Sequence, residues 1–145
     1  MQDSKPACKA CRSIANHEAP NVVWQNELWI LKHTGQPYAD LGWMTLHSRR
    51  HVPAFTMLTE EELTDFGPTA KKISEAIIAA TGALRVYIAT LTESTPHVHA
   101  HFAPRYEDGP KGWDTFLLKA KPGSRYVSED DVKTVIERVG QLLRQ

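Results

Sequence analysis

The segment Pro96-His97-Val98-His99-Ala100-His101-Phe102-Ala103-Pro104 places three histidines at alternate positions. Side chains in a strand alternate between faces. His97, His99 and His101 would therefore share one face, and Val98, Ala100 and Phe102 would turn to a core. Imidazoles are poor filler for an apolar interior, because each ring nitrogen needs a partner and each ring titrates near neutrality. Three on one face could be a solvated polar surface, a set of metal ligands, or a catalytic arrangement. In the last, a neutral imidazole attacks an electrophile and splits one hard step into two. The pattern favours the catalytic reading. The only two cysteines, Cys8 and Cys11, form a C-x-x-C in a polar, lysine-containing segment with no strand ahead of it. A thioredoxin-type redox site would need that strand, so half of a zinc site is favoured over an idle thiol pair.

The elements that must position these residues follow from the hydrophobic pattern. Residues 1–21 read as an irregular lead-in. Val22-Val23-Trp24 and Leu28-Trp29-Ile30-Leu31 are strand-like runs about the polar Gln25-Asn26-Glu27, which predicts a hairpin. Gly35 and Pro37 break the loop that follows, and Trp43 to Leu46 reads as a third strand. Thr59 with Glu62 three positions on predicts a capping box for a helix over Thr59 to Thr81. Leu63, Phe66, Ala70, Ile73, Ile77 and Ala80 form its apolar stripe, Gly82 fits its C-cap, and Pro68 should kink or split it near Gly67. Ala83 to Leu91 and His97 to Pro104 are predicted strands, and Trp113 to Leu118 a further short one. Ser128, with Asp131 at the third position, caps a last helix over Ser128 to Leu143. Its stripe is Val132, Val135, Ile136, Val139, Leu142 and Leu143. This order is α+β, and a mostly antiparallel sheet with helices packed on it is the simplest architecture.

The 145 residues suit one domain. Seventeen basic and seventeen acidic residues cancel, so neither a nucleic-acid backbone nor a membrane surface is expected as a partner. The longest aliphatic run, Ala76 to Ala80, cannot span a bilayer. Met1-Gln2-Asp3-Ser4-Lys5-Pro6 lacks a signal peptide's apolar core. A cytoplasmic location is expected.

His97-Val98-His99-Ala100-His101-Phe102-Ala103 resembles the histidine-triad (HIT) motif at every position. The likeness extends over the hairpin, Leu46-His47-Ser48-Arg49-Arg50-His51-Val52, the long helix, the Arg85–Leu91 strand and Pro104-Arg105-Tyr106, most of residues 8–106. The resemblance implies a HIT-like α+β fold, with a mostly antiparallel sheet of about five strands and two main helices. It places one HIT domain over residues 1–145, with residues 107–145 supplying a C-terminal loop, strand and helix. It also implies a homodimer whose sheets join edge to edge.

By the same resemblance, His99 is the nucleophile that takes up a nucleotide at its α-phosphorus, and water then releases the nucleoside monophosphate. His101 contacts the phosphate and can protonate the leaving group. Ser94 matches the family's Ser/Thr that touches the phosphate or leaving group, and Arg105 is a candidate phosphate contact. The implied substrate is a nucleoside phosphoramidate or dinucleoside polyphosphate. Several bacterial HIT proteins with an N-terminal C-x-x-C complete a structural zinc site with a histidine after the third strand and the first triad histidine; here the set is Cys8, Cys11, His51 and His97. His47 is a rival ligand, otherwise an exposed strand-end residue, and His17 and His33 read as surface residues. Arg49, Arg50 and Lys111 could add positive charge, and Trp29 and Trp43 could wall a base pocket or pack in the core. Glu93 stands where the Hint and Fhit branches have Gln. Lys32-His33-Thr34 stands where the family often has a ribose-binding acid, a role for which Asp40 in the loop is a candidate. Two alternatives are a zinc-stabilised nucleotide-binding or regulatory module with little catalysis, and a metalloenzyme whose metal is held by all three triad histidines.

Overall fold

A computed structural model of the chain describes residues 5–35, 40–117 and 128–145. Five strands form one antiparallel sheet: β1 (Val22–Gln25), β2 (Trp29–His33), β3 (Met44–Ser48), β4 (Arg85–Ala89) and β5 (His99–Arg105), in the spatial order β1-β2-β3-β5-β4. The hairpin turn works as its polar residues predict. The Asn26 side-chain oxygen accepts from the backbone N–H of Leu28 (2.9 Å) and Trp29 (2.8 Å).

Register decides which side chains share a face. Leu31, Leu46 and Ala100 lie opposite one another, as do His33, Met44 and Phe102. The apolar residues of this set face α2 (Glu60–Thr81) and α4 (Glu129–Leu143) and form the main core with Ile73, Ile77, Val135 and Val139. The other face carries Lys32, Thr45 and His101 across one row, and Ile30, His47 and His99 across the next. Two short helices flank that face. The first, α1 (Lys9–Ile14), lies against β2, where Lys32 Nζ donates to the Ser13 carbonyl (2.6 Å) and hydroxyl (3.0 Å). The second, α3 (Trp113–Leu117), brings Phe116 edge-on to Trp43, with ring centroids 5.4 Å apart.

The predicted capping box at Thr59/Glu62 is present, the predicted cap at Ser128 is a second box with Asp131, and Gly82 closes α2 in the left-handed conformation (φ 74°). Several expectations change. The lead-in contains α1, started by Cys8, whose sulfur accepts from the Cys11 N–H. Pro68 does not split α2: it lies on the exposed side, and the buried Thr69, Ala70 and Ile73 hold the helix together across it. Leu63 falls outside the buried stripe and is 45% exposed. Trp113–Leu117 is a helical turn, not a strand; its start follows Gly112 (φ 56°), and Thr115 Oγ1 donates back to the Pro110 carbonyl (3.1 Å). Leu118, the end of that predicted strand, lies outside the described residues. Finally, β5 begins at His99, two residues later than the histidine pattern suggests.

Candidate active site and metal centre

The triad divides where β5 begins. His99 and His101 lie on the open face, with ring centroids 5.4 Å apart. His97 precedes the ladder, and its fully buried ring turns instead to His51 (5.3 Å). Two backbone bonds fix this junction: Val98 N–H donates to the Val52 carbonyl (2.7 Å), and Ser48 N–H to the Val98 carbonyl (3.0 Å). The segment after β3 and the segment before β5 are thereby stitched together, which brings His51 and His97 side by side.

Cys8, Cys11, His51 and His97 each offer one ligand atom, all within 4.8 Å of one another. Cys11 Sγ lies 3.3 Å from His51 Nδ1 and 3.4 Å from His97 Nδ1, and Cys8 Sγ lies 3.6 Å from His97 Nδ1. A tetrahedral ion with Zn–S and Zn–N bonds of ordinary length sets S···N separations of about 3.5 Å, which these three distances match. Their surroundings fit too. His97 Nε2–H donates to the Ser48 carbonyl (2.7 Å), the usual support for a metal-bound imidazole. The backbone N–H groups of Lys5 and Cys11 point at the two sulfurs. Burial, the largest cause, pushes the Cys11 thiol up and the His51 and His97 imidazoles down. Both imidazoles thus keep the lone pairs that ligation needs, and the thiol would lose its proton on binding.

At the chemical centre, His99 Nδ1 is 2.7 Å from the His97 carbonyl oxygen. A carbonyl can only accept, so Nδ1 carries a proton, and in the neutral ring the lone pair is on Nε2. His101 Nδ1 receives the Trp43 indole N–H at 3.1 Å, with Thr45 Oγ1 at 3.4 Å.

The remaining candidates separate. Ser94 is exposed and lines a cleft of about 420 Å³ with Cys8, His51 and Thr95, beside the metal-ligand cluster. Arg105 is 8% exposed at the far end of β5, where its guanidinium donates to the Tyr106 carbonyl (2.8 Å). Six residues of strand, roughly 20 Å, separate it from His99. Arg50 is held by Glu62 (2.7 Å), and Arg49 by Gln25 (2.6 Å). Trp29 packs in the main core.

Two residues differ from their expected places. His33 is not a surface residue: it is 2% exposed, its Nδ1–H donates to the Thr34 carbonyl (2.8 Å), and its Nε2 accepts from Gly42 N–H (2.9 Å). His47 is not an exposed strand end. It lies opposite His99 in register, its Nδ1 is buried, and burial chiefly, with the neighbouring imidazoles, pushes it down to about 3. Trp43 packs in a small core cluster with Ala103, one of its two expected uses, and its indole also bonds to the triad. Alternation within the third strand puts residues 43, 45 and 47 on one face; the sequence does not say that this face meets the triad, because strand order and register are tertiary facts.

A family model for the HIT domain matches residues 16–108. The chain belongs to the HIT family. No curated protein sequence matches it. Among solved structures, this HIT protein is similar to a Hit-like protein involved in cell-cycle regulation from Bartonella henselae (TM-score 0.72, 15% identity, covering 97% of this chain and 99% of that one). It is similar also to a zinc-bound histidine triad family protein from Mycobacterium smegmatis (TM-score 0.71, 14% identity, 95% and 96%). A third is a hypothetical histidine triad nucleotide-binding protein from Sulfolobus tokodaii (TM-score 0.69, 18% identity, 93% and 91%). At these identities the likeness is one of fold. Membership of the family supports a nucleotide-binding hydrolase or transferase in general terms. No helix among the described residues is long and apolar enough to cross a membrane.

Proposed function

We propose that this HIT protein is a nucleotide hydrolase or transferase that works through a covalent nucleotidyl-histidine at His99, with a nucleoside phosphoramidate or dinucleoside polyphosphate as substrate. The observation that carries this reading is the 2.7 Å bond from His99 Nδ1–H to the His97 carbonyl, which leaves Nε2 as a neutral nucleophile on an open face. His99 Nε2 attacks the α-phosphorus, and the bond from phosphorus to the leaving nitrogen or oxygen breaks. His101 hydrogen-bonds the departing atom, which takes its proton from a solvent water and leaves hydroxide. In the second step water attacks the phosphorus, its proton neutralises that hydroxide, and the P–N bond to His99 breaks to release the nucleoside monophosphate. Ser94 would meet the phosphate or leaving group from the loop ahead of His97. Arg105 could serve only a substrate long enough to reach the far end of β5.

Zinc is the ion that two thiolates and two imidazoles suit best, and it would act as a structural cross-link between the lead-in and the sheet. Cys8, Cys11, His51 and His97 would hold it. The edge of β4, where Ile88 is 47% exposed, is where a second copy would add its own sheet. Sedimentation of a monomer at micromolar concentration would remove that part of the reading.

Mass spectrometry after brief exposure to adenosine phosphoramidate and dinucleoside polyphosphate tests the chemistry. The expected result is a nucleoside-monophosphate adduct on His99, with neither adduct nor turnover in His99→Ala. Wild-type turnover in that variant refutes the mechanism. Calorimetric binding without turnover across the panel would instead leave a binding module.

A further inference from the structure

We propose that Trp43 is a positioning residue that fixes the proton of His101 on Nε2, so that the two open-face histidines stand as opposite tautomers, one a nucleophile and one a donor. This rests on the functional reading above for its role in catalysis, and on geometry alone for the tautomer. An indole N–H only donates. With Trp43 Nε1 at 3.1 Å, His101 Nδ1 must present a lone pair. A neutral imidazole carries one N–H, and here it is left to Nε2. His99 is fixed the other way, because the His97 carbonyl takes its Nδ1–H. The ring centroids are 5.4 Å apart, so one ring with its lone pair on Nε2 and one with its N–H on Nε2 are neighbours on the sheet face. That is the pair an incoming phosphoryl group requires: one atom to attack phosphorus, and one to hydrogen-bond its oxygen or the departing group.

The indole is built into this position. Trp43 is 1% exposed and packs edge-on against Phe116. Its backbone is bound on both sides: its N–H donates to the Asp40 carbonyl (3.0 Å), and its carbonyl accepts from Thr34 N–H (2.8 Å). One residue earlier, Gly42 N–H is clamped by the buried His33. Thr45, two residues on, lies opposite His101 in register; its hydroxyl is 2.8 Å from Thr34 Oγ1 and reaches the same Nδ1 at 3.4 Å. This assigns a use to a buried histidine and a buried tryptophan that the triad pattern leaves out.

The test replaces Trp43 with 3-benzothienylalanine, which keeps the bicyclic shape but has sulfur in place of the N–H, with Trp43→Phe beside it. Long-range 1H–15N spectra of histidine-labelled protein, taken above pH about 8 where imidazoles are neutral, read the His101 tautomer directly. The wild type is expected to show Nε2–H alone, and the isostere a mixture with Nδ1–H. The isostere's kcat should fall several-fold, up to about tenfold, the effect of one lost hydrogen bond, with KM unchanged. A His101 that stays Nε2–H in the isostere, or is Nδ1–H in the wild type, overturns the inference. A fixed wild-type tautomer without turnover would refute the hydrolase reading and leave the Trp43 assignment standing.

Discussion

Chelation of the proposed structural zinc should melt α1 and leave the sheet folded. The helix has six residues, and a helix that short is not stable alone. Fixing six backbones costs about 6–12 kcal/mol. Against that stand the burial of Ile14 and Ala10, worth about 3 kcal/mol, and the two Lys32–Ser13 bonds, worth about 2 kcal/mol. Several kilocalories per mole are missing, and a structural zinc ion can supply them, since such ions contribute about 10–16 kcal/mol to peptides that fold around them. The main core contains no residue of α1. Hydrogen exchange read by mass spectrometry, before and after a chelator, is the assay. Amides of residues 8–15 should go from protected to nearly free exchange, while β2, β3 and β5 stay protected. Cys11→Ser should give the same map without chelator. Protection of α1 that survives complete metal removal would refute the reasoning, because the remaining contacts would then suffice.

Two further perturbations probe the frame that holds the site. Glu62 is 3% exposed; burial tends to raise its pKa, but hydrogen bonds from Arg50 (2.7 Å) and Thr59 N–H (2.8 Å) outweigh it and hold the carboxyl below its ordinary value. A folded value below the unfolded one gives stability that is full above the unfolded pKa of about 4.3 and is lost as pH falls through the folded value. Arg50→Ala should therefore cost about 1–2 kcal/mol at pH 7 by urea denaturation, discounted for the partly open guanidinium, and the deficit should shrink as Glu62 protonates in acid; an equal deficit at both ends would sink this account. Gly42→Ala faces both a left-handed backbone (φ 86°) and a Cβ placed 2.9 Å from Thr81 Cγ2, whereas Gly82→Ala (φ 74°) meets nothing within 4 Å. Thermal denaturation should show about 1–2 kcal/mol lost at Gly82 and distinctly more at Gly42, and equal losses would show that Thr81 gives way freely.

The legible parts were those set by local chemistry. Caps at Thr59 and Ser128 announce themselves through side chains three residues apart, and the alternation of Val98, Ala100 and Phe102 against the histidines gives the inner face of β5. What escaped depends on neighbours in space. The five residues Trp113–Leu117 carry two aromatics, a threonine and a leucine and so read as a strand, but Phe116 finds Tyr87 and Trp43 rather than a ladder. His33 looks like a polar surface residue until the return of the chain at Gly42 supplies a donor for its second nitrogen. His47 and Trp43 gain their meaning from the pairing of β3 with β5, and no spacing within either strand encodes that register.

The two-residue delay in the start of β5 has a consequence for the chemistry. Had the strand begun at His97, its carbonyl would have been open to a partner in the β3 ladder, and its side chain would have joined the open face with His99. Instead the ladder begins at the His47–His99 pair. His97 turns its ring to the two cysteines and His51, and its carbonyl takes the proton of His99. One residue thus serves the Cys/His cluster through its side chain and the proposed nucleophile through its backbone. The sequence repeat makes the three histidines look equivalent, and the backbone makes them unequal. On the proposed roles, any loosening of the Cys8, Cys11, His51 and His97 cluster should reach the chemistry by this single carbonyl, because the atom that fixes the His99 tautomer belongs to a residue of that cluster.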